Sequence, residues 1–366
     1  MQQIDAATYT KGPVGPHLVK MTGFMVFGMV AIMAANLIET VYISFLGTQE
    51  LAALGFSFPI IMLIQSTAMG LSVGASSVVS RKIGEGKHDL GRLVATHCLL
   101  FSLLFSLVLI IVVSPNLAGI FELLGAQENV RSLATSYVDL WFIGLPFFAF
   151  AMVGSSLMRA MGDIARPGYL MALAALLQIV FAPALIFGVN GFSGFGLAGA
   201  ALAFVIARVI GFAVYIYLFY KDKFLILSTK SFYASLKEVL GVGLPAIAAN
   251  IIGPVTMTFV TKIVSTYGSV AVAGFTLASR IETMFAMVLW SLSMSLAPFI
   301  GQNWGAGAFS RVKYSFSLAN RFSVAWGIAA YVFLMVCSPF FLEMVTEDAA
   351  GVAVALQYIQ QVDRHR

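Results

Sequence analysis

Apolar residues fall in long unbroken runs along this chain, separated by short polar stretches. Nine runs are long enough to cross a bilayer as helices, which takes about 20 residues. They cover 18–45, 51–79, 93–113, 132–157, 167–187, 197–220, 235–264, 270–299 and 313–337. A tenth begins near Ala349 and does not finish. The pattern predicts an all-α polytopic membrane protein.

The polar stretches carry a second signal. Placing the N-terminus in the cytoplasm assigns a side to every loop. The inner segments then hold Lys11, Lys20, Arg81, Lys82, Lys87, Arg92, Arg159, Arg166, Lys221, Lys223, Lys230, Lys237, Arg311 and Lys313, and the outer ones only Arg131 and Lys262. Cytoplasmic loops of membrane proteins carry such an excess. One missed helix would have scrambled it, so the bias supports the helix count.

The chain also repeats itself. At an offset of 221, Ser44 falls on Ser265, Gly47 on Gly268, and Gly84-Glu-Gly86 on Gly305-Ala-Gly307. Six spans fill one repeat. Six is even, so both copies insert the same way up, as a parallel repeat with its axis along the membrane normal. The expected organisation is a cytoplasmic segment at 1–17, a six-helix lobe at 18–220, a cytoplasmic linker at 221–234 and a partial second lobe at 235–366. A full second copy would end near residue 440. The chain instead closes on Gln361-Val-Asp-Arg-His-Arg366, where the first copy has Leu140-Trp-Phe-Ile-Gly-Leu145 in mid-membrane. This reading expects a truncated second lobe.

Composition narrows the classes. Of 366 residues, 60% are hydrophobic and 10% charged, and the mean hydropathy is +0.94. A soluble domain carries about 25% charged residues. The net charge of +5 lies in short loops and serves orientation, so no nucleic-acid partner is expected. Residues 1–17 are polar, and the run after them is too long for a signal h-region, so no cleavable signal is expected. Cys98 and Cys337 fall near opposite faces, beyond disulfide reach, and read as small apolar residues. Metal-ligand clusters, Gly-rich phosphate loops and nucleophile elbows are missing from the sequence. An enzyme, a cofactor and a bound metal are therefore not expected.

One acid stands out. Glu39 lies near the end of the first run, where a carboxylate costs roughly 2.5–3.5 kcal/mol on insertion scales. Something inside the protein must solvate, pair or protonate it. Asp139, Arg208, Arg280, Glu282 and Arg321 also fall within spans, where charges usually face an interior or a cavity. Arg280 and Glu282 are two apart on a helix, so each needs its own partner. Pro245 and Asn250 mark a candidate bend in the seventh span. Gly70-Leu-Ser-Val-Gly74 has the spacing for close helix packing.

Several segments together resemble the multidrug and toxic compound extrusion (MATE) transporters, closest to the DinF-like branch. They are Ile38-Glu-Thr-Val-Tyr-Ile-Ser-Phe-Leu-Gly47, Ser156-Leu-Met-Arg-Ala-Met-Gly-Asp163 with Arg166-Pro167, Gly196-Leu-Ala-Gly-Ala-Ala201, and Ala278-Ser-Arg-Ile-Glu282 leading to Gly301-Gln-Asn-Trp-Gly-Ala306. The resemblance implies two six-helix lobes rocking about a central cavity in the cell (inner) membrane. It implies a monomer that exports amphipathic, often cationic compounds against an inward flow of protons or sodium. The family's first-span Asp before Thr is Glu39 here. Its fifth-span Asn and Asp positions are Gln178 and Ala182, a further branch's seventh-span Glu is Gly253, and the first-span Pro is Phe24. With so few carboxylates, the expected coupling ion is H+ rather than Na+.

The expected roles follow. Glu39 would load a proton outside and release it inside, and Gln178 would orient it. Arg208, Asn250, Arg280 and Glu282 are the candidates for the substrate cavity. Arg159 and Arg166 read as a clasp on an inner loop. Two alternatives remain. One is a lipid-linked precursor flippase of the same superfamily, whose diphosphate cargo would want inward Arg residues. The other is a truncated fragment that does not transport.

Overall fold

A computed structural model describes residues 8–189, 193–265 and 269–345, with the side chains at 258, 261–262, 265, 269–274, 276–278, 280–281 and 336–345 outside the description. After a short 3-10 turn at Thr8–Thr10, ten α-helices follow. They are α1 (Val14–Ser44), α2 (Thr48–Gly84), α3 (His88–Val113), α4 (Leu117–Leu123), α5 (Glu128–Ala160), α6 (Arg166–Phe187), α7 (Leu197–Lys221), α8 (Phe232–Ser265), α9 (Ser269–Gly305) and α10 (Phe309–Val345). Nine membrane-length spans occur among the described residues, α3 and α4 sharing one, and there is no strand.

The helices run longer than the apolar runs. α2 has 37 residues, about 55 Å at 1.5 Å per residue, against a hydrocarbon core of about 30 Å. Its extra turns carry Arg81 and Lys82 past the apolar limit at residue 79, where both pair with Glu238 of α8, at 3.3 and 3.0 Å. Prolines do not break these elements. Pro59, Pro146, Pro183 and Pro298 all lie inside helices, and α8 runs on through Pro245 and Pro254. Neighbouring helices can re-satisfy the freed carbonyls in a membrane bundle.

The repeat is visible in the helix ends. The offset of 221 carries Ser44 to Ser265 and Thr48 to Ser269, each pair a matching helix end or start. It also carries Gly84 to Gly305 and His88 to Phe309. Gly86 and Gly307, two residues past the ends of α2 and α9, share a left-handed backbone at φ +76° and +70°. That conformation favours glycine, which is why the paired glycines are the readable part of the repeat.

Helices α1–α7 enclose two apolar cores. One centres on Phe121, Trp141, Phe142, Leu145, Ile186 and Phe204, the other on Leu71, Val79, Leu157, Met158, Tyr215 and Phe219. The second copy meets this bundle through α1 and α2. Helix α2 packs on α8 and, in the mirrored relation, α1 packs on α9. Gly70 and Gly74 allow the first contact, since a Cβ on them would lie 2.4 Å from Ile247 and 2.6 Å from the Val239 carbonyl.

Where α2 and α9 cross, repeat-related residues face each other. A Cβ on Gly84 would lie 2.0 Å from the Gln302 carbonyl, and one on Gly305 would lie 2.1 Å from the Arg81 carbonyl. Overpacking costs typically about 1–3 kcal/mol, and backbone cannot move aside as a side-chain tip can. Gly84→Ala and Gly305→Ala should each lower the thermal midpoint in detergent by several degrees. Gly241→Ala, with nothing within 4 Å, should not lower it and can raise it slightly, since Ala favours a helix interior over Gly. Equal midpoints for all three would show that this crossing is not tight.

Candidate functional site

Close packing of α1 on α6 sets the site. A Cβ on Gly28 would lie 3.0 Å from the Gly168 carbonyl, and one on Gly168 would lie 2.2 Å from the Phe24 carbonyl. About three turns further along each helix, at 3.6 residues per turn, the two present Glu39 and Gln178 to one another. Gln178 Nε2 donates to Glu39 Oε2 at 2.7 Å. The Tyr137 hydroxyl of α5 donates to Oε1 at 3.4 Å. Gln178 and Tyr137 are buried, while Glu39 is half-buried.

Arg208 of α7 places a positive charge close enough to act on Glu39 electrostatically. No salt bridge joins them among the described residues. The guanidinium lies instead over aromatic faces, 4.7 Å from the Phe204 ring and 5.5 Å from Phe148. Trp141 stacks on Phe204, with ring centroids 4.8 Å apart. A guanidinium over an aromatic face is attracted by the ring quadrupole. Arg208 Nε is buried without a hydrogen-bond partner.

Chemically this is one carboxyl group with two neutral partners and a cation held nearby. A Gln amide and a Tyr hydroxyl can each donate to a carboxylate and accept from a carboxylic acid. The pocket therefore has partners for both protonation states. A hard cation such as sodium would find one carboxylate and neutral oxygens. No metal-binding group of His, Cys, Asp or Glu forms among the described residues.

Of the residues singled out from the sequence, the structure brings Glu39 and Gln178 into contact and sets Arg208 beside them. It does not bring the others there. Asn250 turns back on its own helix, donating to the Ala246 carbonyl at 2.8 Å. Glu282 and Arg321 are exposed on α9 and α10. Asp139 is exposed and accepts from the Ser114 hydroxyl. The Arg280 side chain lies outside the described residues.

Two residues acquire roles the sequence did not assign. Tyr137 had no polar signal, since an aromatic in an apolar span reads as core. Arg159 differs from its expected place on a loop clasp. It is 3% exposed, bonded through Nη1 to Ser155 Oγ at 2.6 Å and to Met25 Sδ at 3.4 Å. The Arg166 side chain does pair at the loop, with Asp163 and Asp222.

A bundle of membrane-length helices defines an integral membrane protein, and the partners gathered around Glu39 mark its candidate site. The chain belongs to the MatE family, whose model matches residues 25–184 and 245–362. It is 31% identical to an FAD transporter of Shewanella oneidensis over 87% of this chain and 72% of that one. It is 25% identical to the probable multidrug resistance protein NorM of Thermotoga maritima, over 84% of this chain and 66% of that one. The fold superposes on the MATE transporter VcmN of Vibrio cholerae, in a mutant form, with a TM-score of 0.90 at 25% identity, covering 98% of this chain and 80% of that one. The chain thus spans about two thirds to four fifths of these relatives.

Scaffold and site should separate on substitution. Trp141→Ala removes a buried ring, at a cost of about 3–5 kcal/mol, and should sharply lower the thermal midpoint in detergent. Glu39→Gln keeps the shape and should leave the midpoint close to the parent's. A midpoint loss for Glu39→Gln as large as for Trp141→Ala would make Glu39 structural.

Proposed function

We propose that this protein is a secondary-active efflux antiporter, exporting amphipathic and cationic compounds in exchange for protons by rocking its two lobes about a central cleft. The reading rests above all on the convergence of Gln178 and Tyr137 on Glu39 in the first lobe. Glu39 takes a proton when the cleft faces outward, becomes neutral and stays so while shielded. It releases the proton when the cleft hydrates from the cytoplasm. Gln178 holds the carboxyl in one orientation through both steps. Coupling to protons fits the single carboxylate better than coupling to sodium, which favours several oxygen ligands. The N-terminus is cytoplasmic on this reading, as the distribution of basic residues supports.

A second cargo has its own supporting observation. Arg208, the cation beside Glu39, would supply a positive charge to a phosphate-bearing cargo. The likeness to an FAD transporter favours the same reading. The lipid-precursor flippase has less support. Of the three arginines it would recruit, Arg321 is exposed on α10 and the Arg280 side chain lies outside the described residues.

The test uses cells stripped of their own exporters. Expression should lower ethidium accumulation, and Glu39→Gln should abolish that effect while the protein still reaches the membrane. The same cells, assayed for flavin in the medium, separate the cargoes: export of flavin without ethidium resistance selects the second. Full efflux by Glu39→Gln would remove this acid from the coupling step.

A further inference from the structure

The strongest unexplained feature is the segment just before α1. Residues 8–12 lie wedged between the first lobe and the second copy, at the end of the bundle that the basic residues place in the cytoplasm. Tyr9 is fully buried, its ring packed with Val14, Leu18 and Met21 of α1 and Phe299 of α9. Its hydroxyl donates to the Arg159 carbonyl of α5 at 2.9 Å. Its backbone faces the other way. The Tyr9 amide donates to Gln302 Oε1 at 3.1 Å, and its carbonyl accepts from Asn303 Nδ2 at 3.1 Å and Arg311 Nη2 at 2.9 Å. Arg311 Nη1 also holds the Gly12 carbonyl at 2.8 Å, and Gln302 Nε2 reaches across to the Ala160 carbonyl at 2.8 Å. One residue thus ties α5 to α9 and α10.

The repeat gives this arrangement its meaning. The offset of 221 carries Arg81 to Gln302 and Lys82 to Asn303. In the first copy those positions clamp α2 to α8 through Glu238. In the second copy the charges are gone, and two buried amides grip the N-terminal segment instead. Both amides are fully buried, so each must be hydrogen-bonded or costs about 1–3 kcal/mol.

We propose that residues 8–12 are a built-in lock on the cytoplasmic side, replacing in the second copy the ion pairs of the first, and that the lobes open inward only when this segment leaves its groove. The proposal rests on the rocking-lobe reading above. The two halves of the lock differ in kind. The Glu238 pairs are partly exposed and weaken with salt. The strap is held through the buried Tyr9 ring and through its own backbone atoms. Its one charge, Lys11, is exposed, and its backbone carbonyls meet the Arg311 guanidinium of α10. Among the described residues no ion pair of opposite charges closes this half, so salt affects it less. Burial pushes the Tyr9 phenol well above its usual value, so it stays a donor at any physiological pH. Opening this half therefore needs displacement of the segment and not its deprotonation.

Spin labels measure the opening. With Cys98 and Cys337 replaced by alanine, labels on Asp89→Cys and Lys313→Cys, both exposed at helix starts, report the distance between the lobes in the 366-residue chain. Deleting residues 2–12, or introducing Arg311→Ala, should raise the long-distance population at least about tenfold, the factor expected for losing charge-assisted hydrogen bonds. Added salt should raise it further in the deleted chain and hardly at all in the parent. A distribution that moves between acidic and alkaline buffer, yet is the same in parent, deletion and Arg311→Ala, overturns the lock and leaves the rocking reading standing. A distribution fixed in every variant and every buffer overturns both.

Discussion

Inside a bilayer no water is available to a polar group, and a donor, acceptor or charge left without a partner in the protein is costly. The whole molecule is arranged under that constraint. Backbone groups are satisfied within helices, even in those that contain prolines. Hydroxyls mostly turn back on carbonyls one helical turn away, as Ser57, Ser72 and Ser295 do. Glu39 cannot turn back in this way, and its partners come from two other helices.

That requirement links the fold to the site. Gln178 can reach Glu39 only because α1 and α6 approach backbone to backbone at Gly28 and Gly168. Tyr137 reaches it because the aromatic core around Trp141 and Phe204 fixes α5 against α7. The same core cradles Arg208. A small change of packing in the first lobe would therefore change the surroundings of the acid, which is what a coupling group needs if its protonation is to follow conformation.

Polar groups are concentrated at a second place, the end of the bundle predicted to be cytoplasmic. There the two copies touch through α2 and α9 on glycines, and through paired but chemically unlike clamps. Duplication supplied two equivalent positions on either side of the axis. One kept its charges and pairs with Glu238, and the other carries amides that bind the N-terminal segment. His97 holds the linker between the halves on the same face, bonded to Ser235 at 2.9 Å and to the Ser228 carbonyl at 2.7 Å.

The sequence by itself determined the membrane class, the order of the spans among the described residues though not their full helical length, and the repeat. Lipid imposes long apolar runs, and left-handed turns impose glycine at matched positions. It singled out Glu39 because a carboxylate in an apolar run is costly and so conspicuous, and Gln178 through the resemblance to the MATE family. Tertiary structure alone decided who meets whom. Tyr137 looks like core until α5 is placed against α1, and Arg159 looks like a loop residue until Tyr9 covers it. Asn250 bonds its own helix and Glu282 is exposed, and the sequence encodes neither. Which face of a helix meets a neighbour depends on crossing geometry between elements far apart in the chain, and hydropathy, being apolar all round these spans, does not encode it.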